Sequence, residues 1–456
     1  MNGKVQSVAY QSIWASSLLC LFASGPLLAA PMTGAYIPGD GWNTTRISEF
    51  KQDGNTGLAV VNLFTSFDYT WSNQLKYQAS NIVSQQATPM ITLMPVISAR
   101  RVNLLGEITA GEWDSYLDTW IAGLKSWQGK YPSNQTPTVL LRFAHEFNGN
   151  WYPWGNDPSG LRAAWRYVHA RFAAAGVSNV EWVWCANNVD VDSYNDVTRY
   201  YPGDDVVDWT GLDGYNWGSN YSFSRWKSFD ETFSVPYVKL VTNFVNKPVL
   251  LAEVASAEPS DTPRSSYGQN GNNSDANESK SAWVADMYGR IPSDYPAIQA
   301  VSWFNINKEL SWSLNSTAQN GQANTGMDAY RQVMSQQIYS GQFTPLSTGM
   351  TAWVSPHQRR VQRQLRRMSQ PQSTSWLAWL NDQWDQWSTN SVSSTSSAAL
   401  ACRSERVPAL ARLPVQVGHS VLAQERAGLL ALPAQARAAR LQQSLDLITS
   451  TVVAGQ

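Results

Sequence analysis

The chain has 456 residues, with 33 Lys+Arg against 34 Asp+Glu and a formal net charge of -1. So even a balance offers no basic field for a nucleic acid backbone, which excludes nucleic-acid binding as a first reading. With 43% hydrophobic and 15% charged residues the chain can bury a large core, and its length calls for one large barrel or two domains.

Residues 13–24 form an apolar run preceded by Lys4 and followed by Gly25, Pro26 and small residues through Ala30. That pattern predicts a secretory signal over 1–30, hence a secreted protein in the extracellular or periplasmic space. The run is too short to span a bilayer, so no membrane association is expected once the signal is removed.

From residue 31 to about 340, eight short apolar, β-rich runs alternate with longer segments of helical period. The runs cover 33–38, 58–67, 89–96, 138–147, 180–188, 208–217, 247–256 and 298–307. Helix candidates between them include Gly111 to Trp127, with Trp113, Leu117, Trp120, Leu124 and Trp127 near one face, and Ser159 to Ala175, opened by Asp157-Pro158. The count predicts an α/β fold, a (β/α)8 TIM barrel. A doubly wound open sheet would need a Gly-rich phosphate turn after the first strand, and Gly34 to Gly41 contains no G-x-G-x-x-G.

Composition changes near residue 340. All ten Lys precede that point, while 341–456 holds 11 Arg and only five acids. Ser388 to Ala399 reads as a flexible linker, 376–387 as a Trp-rich amphipathic helix, and the whole of 341–456 as a low-complexity, poorly ordered tail. The abrupt Lys-to-Arg switch suggests a shifted reading frame or a fusion.

Catalytic groups of a parallel barrel sit at the C-terminal ends of its strands. That rule selects Glu146, ending the fourth run, and Glu253, ending the seventh. Alternation places Leu140, Arg142, Ala144 and Glu146 on one face, and Val249, Leu251 and Glu253 on the matching face. Two carboxylates converging on one cleft are the machinery of glycoside hydrolysis, one a proton donor and the other a nucleophile or activator of water. Arg142 can hold one of them ionised, or it is a buried partner for any acid in the barrel. Tyr215, on the face of Asp213, can donate to a carboxylate. Trp303 is expected as the floor on which a sugar ring stacks, and Trp151 and Trp154 as cleft walls.

Cys20, Cys185 and Cys402 match no zinc or disulfide spacing, Asp190, Asp192 and Asp196 lack the glycine and the glutamate of a calcium loop, and His169 has no metal-binding partner, so no cofactor or metal is expected. The Ser-, Asn- and Gly-rich stretch from Ala257 to Ser279 reads as a wall of the cleft.

Arg142 to Gly155, RFAHEFNGNWYPWG, resembles the acid/base segment of glycoside hydrolase family 26, the β-mannanase family of clan A. Tyr201 to Asp205, Gly211 to Tyr215 and Lys247 to Glu253 continue the resemblance in the right order. It implies a retaining endo-β-glycanase acting by double displacement, with Glu146 as acid/base, Glu253 as nucleophile, and His145, Tyr215 and Trp303 in support. A polysaccharide is the implied partner, β-1,4-mannan first. Mannanases of the family often carry Arg after the Trp of strand eight; here Phe304 follows Trp303, which keeps β-1,3-1,4-glucan and β-1,3-xylan as alternatives. A monomer is expected. From another class, a non-catalytic carbohydrate-binding barrel would keep the Trp platforms without turnover; the presence of both glutamates speaks against it.

Overall fold

The computed structural model describes residues 30–345 except 40, 72, 193, 245, 260–274, 276 and 317–324. The predicted signal, nearly all of the predicted tail and most of the Ala257–Ser279 wall lie outside the described residues.

Eight parallel strands close a barrel in sequence order: β1 (Met32–Tyr36), β2 (Val60–Ser66), β3 (Thr88–Met94), β4 (Val139–Phe143), β5 (Val180–Asn187), β6 (Trp209–Asn216), β7 (Val249–Ser256) and β8 (Ile298–Phe304). β1 closes on β8 in register from Met32 opposite Ala300 to Tyr36 opposite Phe304. The helices are α1 (Thr44–Gly54), α2 (Asn73–Ser84), α3 (Leu105–Thr109), α4 (Asp114–Gln128), α5 (Pro158–Ala174), α6 (Phe229–Asn243), α7 (Lys280–Asp294) and α8 (Gly326–Met334). The eight-strand expectation is met, while the expectation of one helix per strand is not. Two helices follow β3, and β5 returns through two 3-10 turns, Val197–Tyr200 and Asp204–Val206. The sequence explains the second case, because Tyr201-Pro202-Gly203 interrupts any helical run there.

Strand alternation divides the core. Val60, Met90, Leu140, Val183, Trp209, Leu250 and Ala300 form one apolar cluster, the floor of the barrel interior. Their neighbours Val61, Ile91, Leu141, Trp184, Leu251 and Val301 belong to the larger layer between sheet and helices. One step further towards the C-terminal ends, the interior positions become Asn62, Thr92, Arg142, Asp213 and Ser302, all fully buried. A polar layer thus rests on an apolar floor; Asn62, Thr92, Arg142 and Asp213 are bonded in a chain, which offsets the cost of their burial, while Ser302 Oγ has no partner among the described residues.

α5 shows how the helices follow from sequence. Asp157 accepts a hydrogen bond from Gly160 N at 2.8 Å, Pro158 opens the first turn, and Leu161, Ala164, Trp165, Val168 and Phe172 recur at helical spacing to fill the sheet-facing side. Asp196 caps the first 3-10 turn after β5, and with Asp190 it also binds Lys239 from α6.

Candidate active site

Simple alternation does not deliver the two glutamates; local departures from it do. β4 ends at Phe143, earlier than its apolar run, and the next residues turn sharply, with Ala144 at φ 47° and Glu146 at φ 52°. Such left-handed backbone is costly for residues with a Cβ and is held by its surroundings. Here Ala144 N donates to Leu93 O at 3.0 Å and Glu146 N to Cys185 O at 2.9 Å, tying the turn to both neighbouring strands. Ala144 consequently packs in the outer layer rather than on the face of Arg142. In β7, Leu250 and Ala252 face the interior while Val249 and Leu251 face outward, the reverse of the expected parity. One extra residue corrects it. Leu212 pairs with Leu251 but Asp213 pairs with Glu253, and this bulge turns Glu253 inward.

The side chains then converge on Arg142, which has no exposure. Its NH1 donates to Asp213 Oδ1 and Oδ2 at 2.8 and 2.7 Å, its NH2 to Glu253 Oε1 at 2.5 Å, and its Nε to Thr92 Oγ1 at 2.8 Å. Thr92 passes its own proton to Asn62 Oδ1 at 2.9 Å. Tyr215 donates to Glu253 Oε2 at 2.5 Å, so both oxygens of Glu253 are engaged. Glu146, by contrast, receives Trp151 Nε1 on Oε2 at 2.7 Å and touches no cation. Gly149 makes that reach possible, since a Cβ there would lie 2.5 Å from the Trp151 ring.

Proton affinities follow from these surroundings. Burial, and then the charge of Glu253, push Glu146 up to about 7. Burial also lowers the proton affinity of Arg142, but Asp213 and Glu253 more than offset it and keep the guanidinium charged. Burial and the nearby Arg142 hold the His145 imidazole well below its usual range, leaving it neutral; its Nε2 lies 3.9 Å from Glu253 Oε1, and its buried Nδ1 has no partner. Burial and the charge of Glu253 keep the Tyr215 phenol protonated. Among the described residues, His145, Asp213 and Glu253 are the one group spaced to share a metal ion, with ligand atoms within 4.8 Å, and the cation that Asp213 and Glu253 already bind is Arg142. The arrangement provides a protonated acid beside a clamped, ionisable carboxylate, the pairing that glycosidic bond cleavage requires.

Comparison with known proteins gives the family. The model of glycosyl hydrolase family 26 matches residues 104–280, a stretch running from α3 to the start of α7. The chain belongs to glycosyl hydrolase family 26. Among its relatives, "Endoglucanase H" of Acetivibrio thermocellus is 32% identical over 335 residues, 71% of this chain and 32% of that protein. "Mannan endo-1,4-beta-mannosidase A and B" of Caldalkalibacillus mannanilyticus is 32% identical over 136 residues, covering 27% of this chain and 25% of that protein. "Beta-1,3-xylanase TXYA" of a Vibrio species is 28% identical over 134 residues, 27% of either chain. The chain therefore spans about a third or less of the length of these relatives. A solved structure, a Cellulomonas fimi endo-beta-1,4-mannanase double mutant, aligns with 72% of this chain and 76% of its own at 15% identity and a TM-score of 0.48.

In this family 26 barrel Arg142, His145, Glu146, Trp151, Tyr215 and Glu253 lie together at the strand ends, and two expected site residues do not join them. Trp303 has no exposure. With Ala300 and Ser302 facing inward, period two turns Trp303 to the helices, 6.1 Å from the Trp283 ring, with its Nε1 donating to Trp312 O at 3.0 Å. Phe304 lies beside the site instead, buried, stacked on Tyr36 at 5.0 Å and edge-on to Tyr215 at 5.7 Å. Trp154 also has no exposure; it stacks at 4.4 Å behind Tyr152, the ring that faces His145, and bonds His145 O. Trp151 is 45% exposed and stands at the rim. Sequence reasoning singled out neither Thr92 nor Tyr152, read Cys185 only as matching no zinc or disulfide spacing and Phe304 only for its bearing on substrate, and met Asp213 only within the Gly211–Tyr215 segment and as a neighbour of Tyr215. For Asp213 a signal existed, since a charge inside a barrel strand demands a partner.

Proposed function

We propose that this chain is a retaining endo-β-glycanase, in which Glu146 protonates the leaving oxygen and Glu253 attacks the anomeric carbon, after which Glu146 takes the proton of the incoming water. The observation that carries this reading is the contrast between the two carboxylates: Glu146 is held protonated up to about pH 7, whereas Glu253 is clamped by Arg142 and Tyr215. Neutral His145 lies beside Glu253 and packs on Tyr152, and Phe304 packs on Tyr215.

β-linked glucan, including the mixed-linkage form, is the substrate proposed first, and β-1,4-mannan second. The order expected from sequence is thereby reversed. The long alignment is with a protein described as an endoglucanase, the mannosidase alignment covers 27% of this chain, and the residue after Trp303 is the apolar Phe304, packed on Tyr215. Secretion is proposed from the apolar run at 13–24 alone.

Hydrolysis of barley β-glucan, mannan and β-1,3-xylan by the parent chain and by Glu146→Ala and Glu253→Ala tests the assignment. Turnover on one glucan that is lost in both variants, with polymer binding retained, is expected. Undiminished hydrolysis in the variants removes the site assignment. A parent that binds glycan without cleaving any of the three is a carbohydrate-binding barrel instead.

A further inference from the structure

We propose that Asp213 is a positioning residue for the first chemical step, a fixed counter-anion that keeps Arg142 balanced while negative charge leaves Glu253. The proposal rests on the reading above that Glu253 is the nucleophile.

Asp213 is fully buried on β6 and lies directly opposite Glu253 in the β6–β7 register. Both of its oxygens accept from Arg142 NH1, and Cys185 Sγ donates to Oδ1 at 3.2 Å. Burial pushes the proton affinity of Asp213 up, and the Arg142 cation bonded to both of its oxygens opposes that push and favours the ionised form. Arg142 meanwhile spends NH1 on Asp213, NH2 on Glu253 and Nε on the neutral Thr92 hydroxyl. One buried cation therefore bridges two anions, of which only Glu253 takes part in the reading above.

In the first displacement a Glu253 oxygen bonds the anomeric carbon, the bond to the leaving oxygen breaks, and that oxygen takes the proton of Glu146. Negative charge disappears from Glu253 and appears on Glu146, which does not touch Arg142. If Glu253 were the only partner of Arg142, the glycosyl ester would leave a buried guanidinium with no anion in contact, a costly arrangement. The same exclusive pairing would hold Glu253 more tightly beforehand and blunt its attack. With Asp213 in place, Arg142 is balanced before and after the step. In the second displacement a water oxygen bonds the anomeric carbon, its proton passes to Glu146, and the ester bond breaks, returning charge to Glu253 beside Arg142. That return gains nothing from Asp213. Removing Asp213 must then slow the first step selectively.

The test is Asp213→Asn, assayed by stopped flow with 2,4-dinitrophenyl β-cellobioside and β-mannobioside, whose good leaving group makes the second step limiting in the parent. The expected result is a first step slower by at least about tenfold, the factor equivalent to one pKa unit of coupling. The second step keeps its rate or gains, so the burst of dinitrophenolate is slowed by the same factor, or vanishes where the first step becomes limiting. Equal slowing of both steps, the mark of a structural role, or a burst as fast as the parent's overturns the proposal. Because the single variant leaves buried charge unbalanced, Asp213→Asn is also made in an Arg142→Gln background, where both charges are absent. There it should leave the first step unchanged, and an undiminished effect shows that Asp213 does not act through Arg142. A parent that forms no covalent ester on Glu253 overturns the nucleophile assignment and this proposal with it, whereas a burst as fast in Asp213→Asn as in the parent overturns this proposal alone.

Discussion

At the end of β4 the backbone leaves the sheet through two left-handed residues to present Glu146, whereas in β7 the chain stays in the sheet and inserts one residue to present Glu253. The surroundings diverge in the same way. Glu146 meets an indole N–H and is 9% exposed; Glu253 meets a guanidinium and a phenol and is 5% exposed. Burial is nearly equal, so burial alone does not separate the two acids. The contacts do: the cation is spent on Asp213 and Glu253, and the charge of Glu253 in turn adds to the burial that raises Glu146. Identical side chains meet opposite surroundings because one has Arg142 in contact and the other does not.

The sharpest way to break that comparison is to remove each carboxylate. Glu253→Ala is expected to lose turnover by on the order of 10⁴-fold or more, as removal of a nucleophile generally does, read as kcat on the preferred glucan. Glu146→Gln is expected to cost roughly 10²- to 10⁴-fold on polymer, the range for one general acid, and far less in the first step with a dinitrophenyl glycoside, which needs no proton. Equal losses for both leaving groups would deny Glu146 the acid's role.

The same Glu146→Gln variant reads the proton affinity through stability. Because the folded state raises Glu146 from 4.5 to about 7, its contribution is fully present below pH 4.5 and is lost as pH rises through about 7. Chemical denaturation should therefore show the variant more stable than the parent at pH 8, with the difference shrinking towards pH 5. A difference independent of pH would show that Glu146 has an ordinary proton affinity.

Much of this architecture is legible in sequence, and the exceptions have definite causes. Eight apolar runs with turn residues between them announce the strands, and Asp157-Pro158 announces α5. Strand parity at the catalytic positions is not legible. It places Val249 and Leu251 inside, and only the extra residue at Ala252 restores Glu253 to the pocket. Nothing in Leu-Leu-Ala-Glu announces a bulge. Trp303 is lost for a related reason: in β8 the interior positions are Ala300 and Ser302, small residues that leave no apolar signature, so the conspicuous indole looks like the inward one. Period-two reasoning is strong where large apolar residues mark one face and weak where a barrel interior turns polar or small.

Arg142→Met sharpens the comparison from the side of the cation. It leaves Asp213 and Glu253 opposite one another with no positive charge between them, and unpairing buried ions in this way costs about 3–5 kcal/mol. Urea denaturation near pH 7 is the measurement. A loss below about 1 kcal/mol, the value of a surface pair, would mean that the Arg142 cluster contributes little to holding the barrel.

Trp151→Phe probes the other carboxylate and should give the smallest effect. The indole N–H donates to Glu146 and favours its charged form, opposing the upward push of burial. Phenylalanine keeps an aromatic ring at the rim and removes only that donor. The basic limb of kcat/KM, which reports the free enzyme's acid, should then move to higher pH by about one unit, since a hydrogen bond to a charged group exceeds one to a neutral group by about 1–1.5 kcal/mol. A limb that moves to lower pH would mean that the indole stabilises the protonated acid, and the contrast between the ends of β4 and β7 would then rest on Arg142 alone.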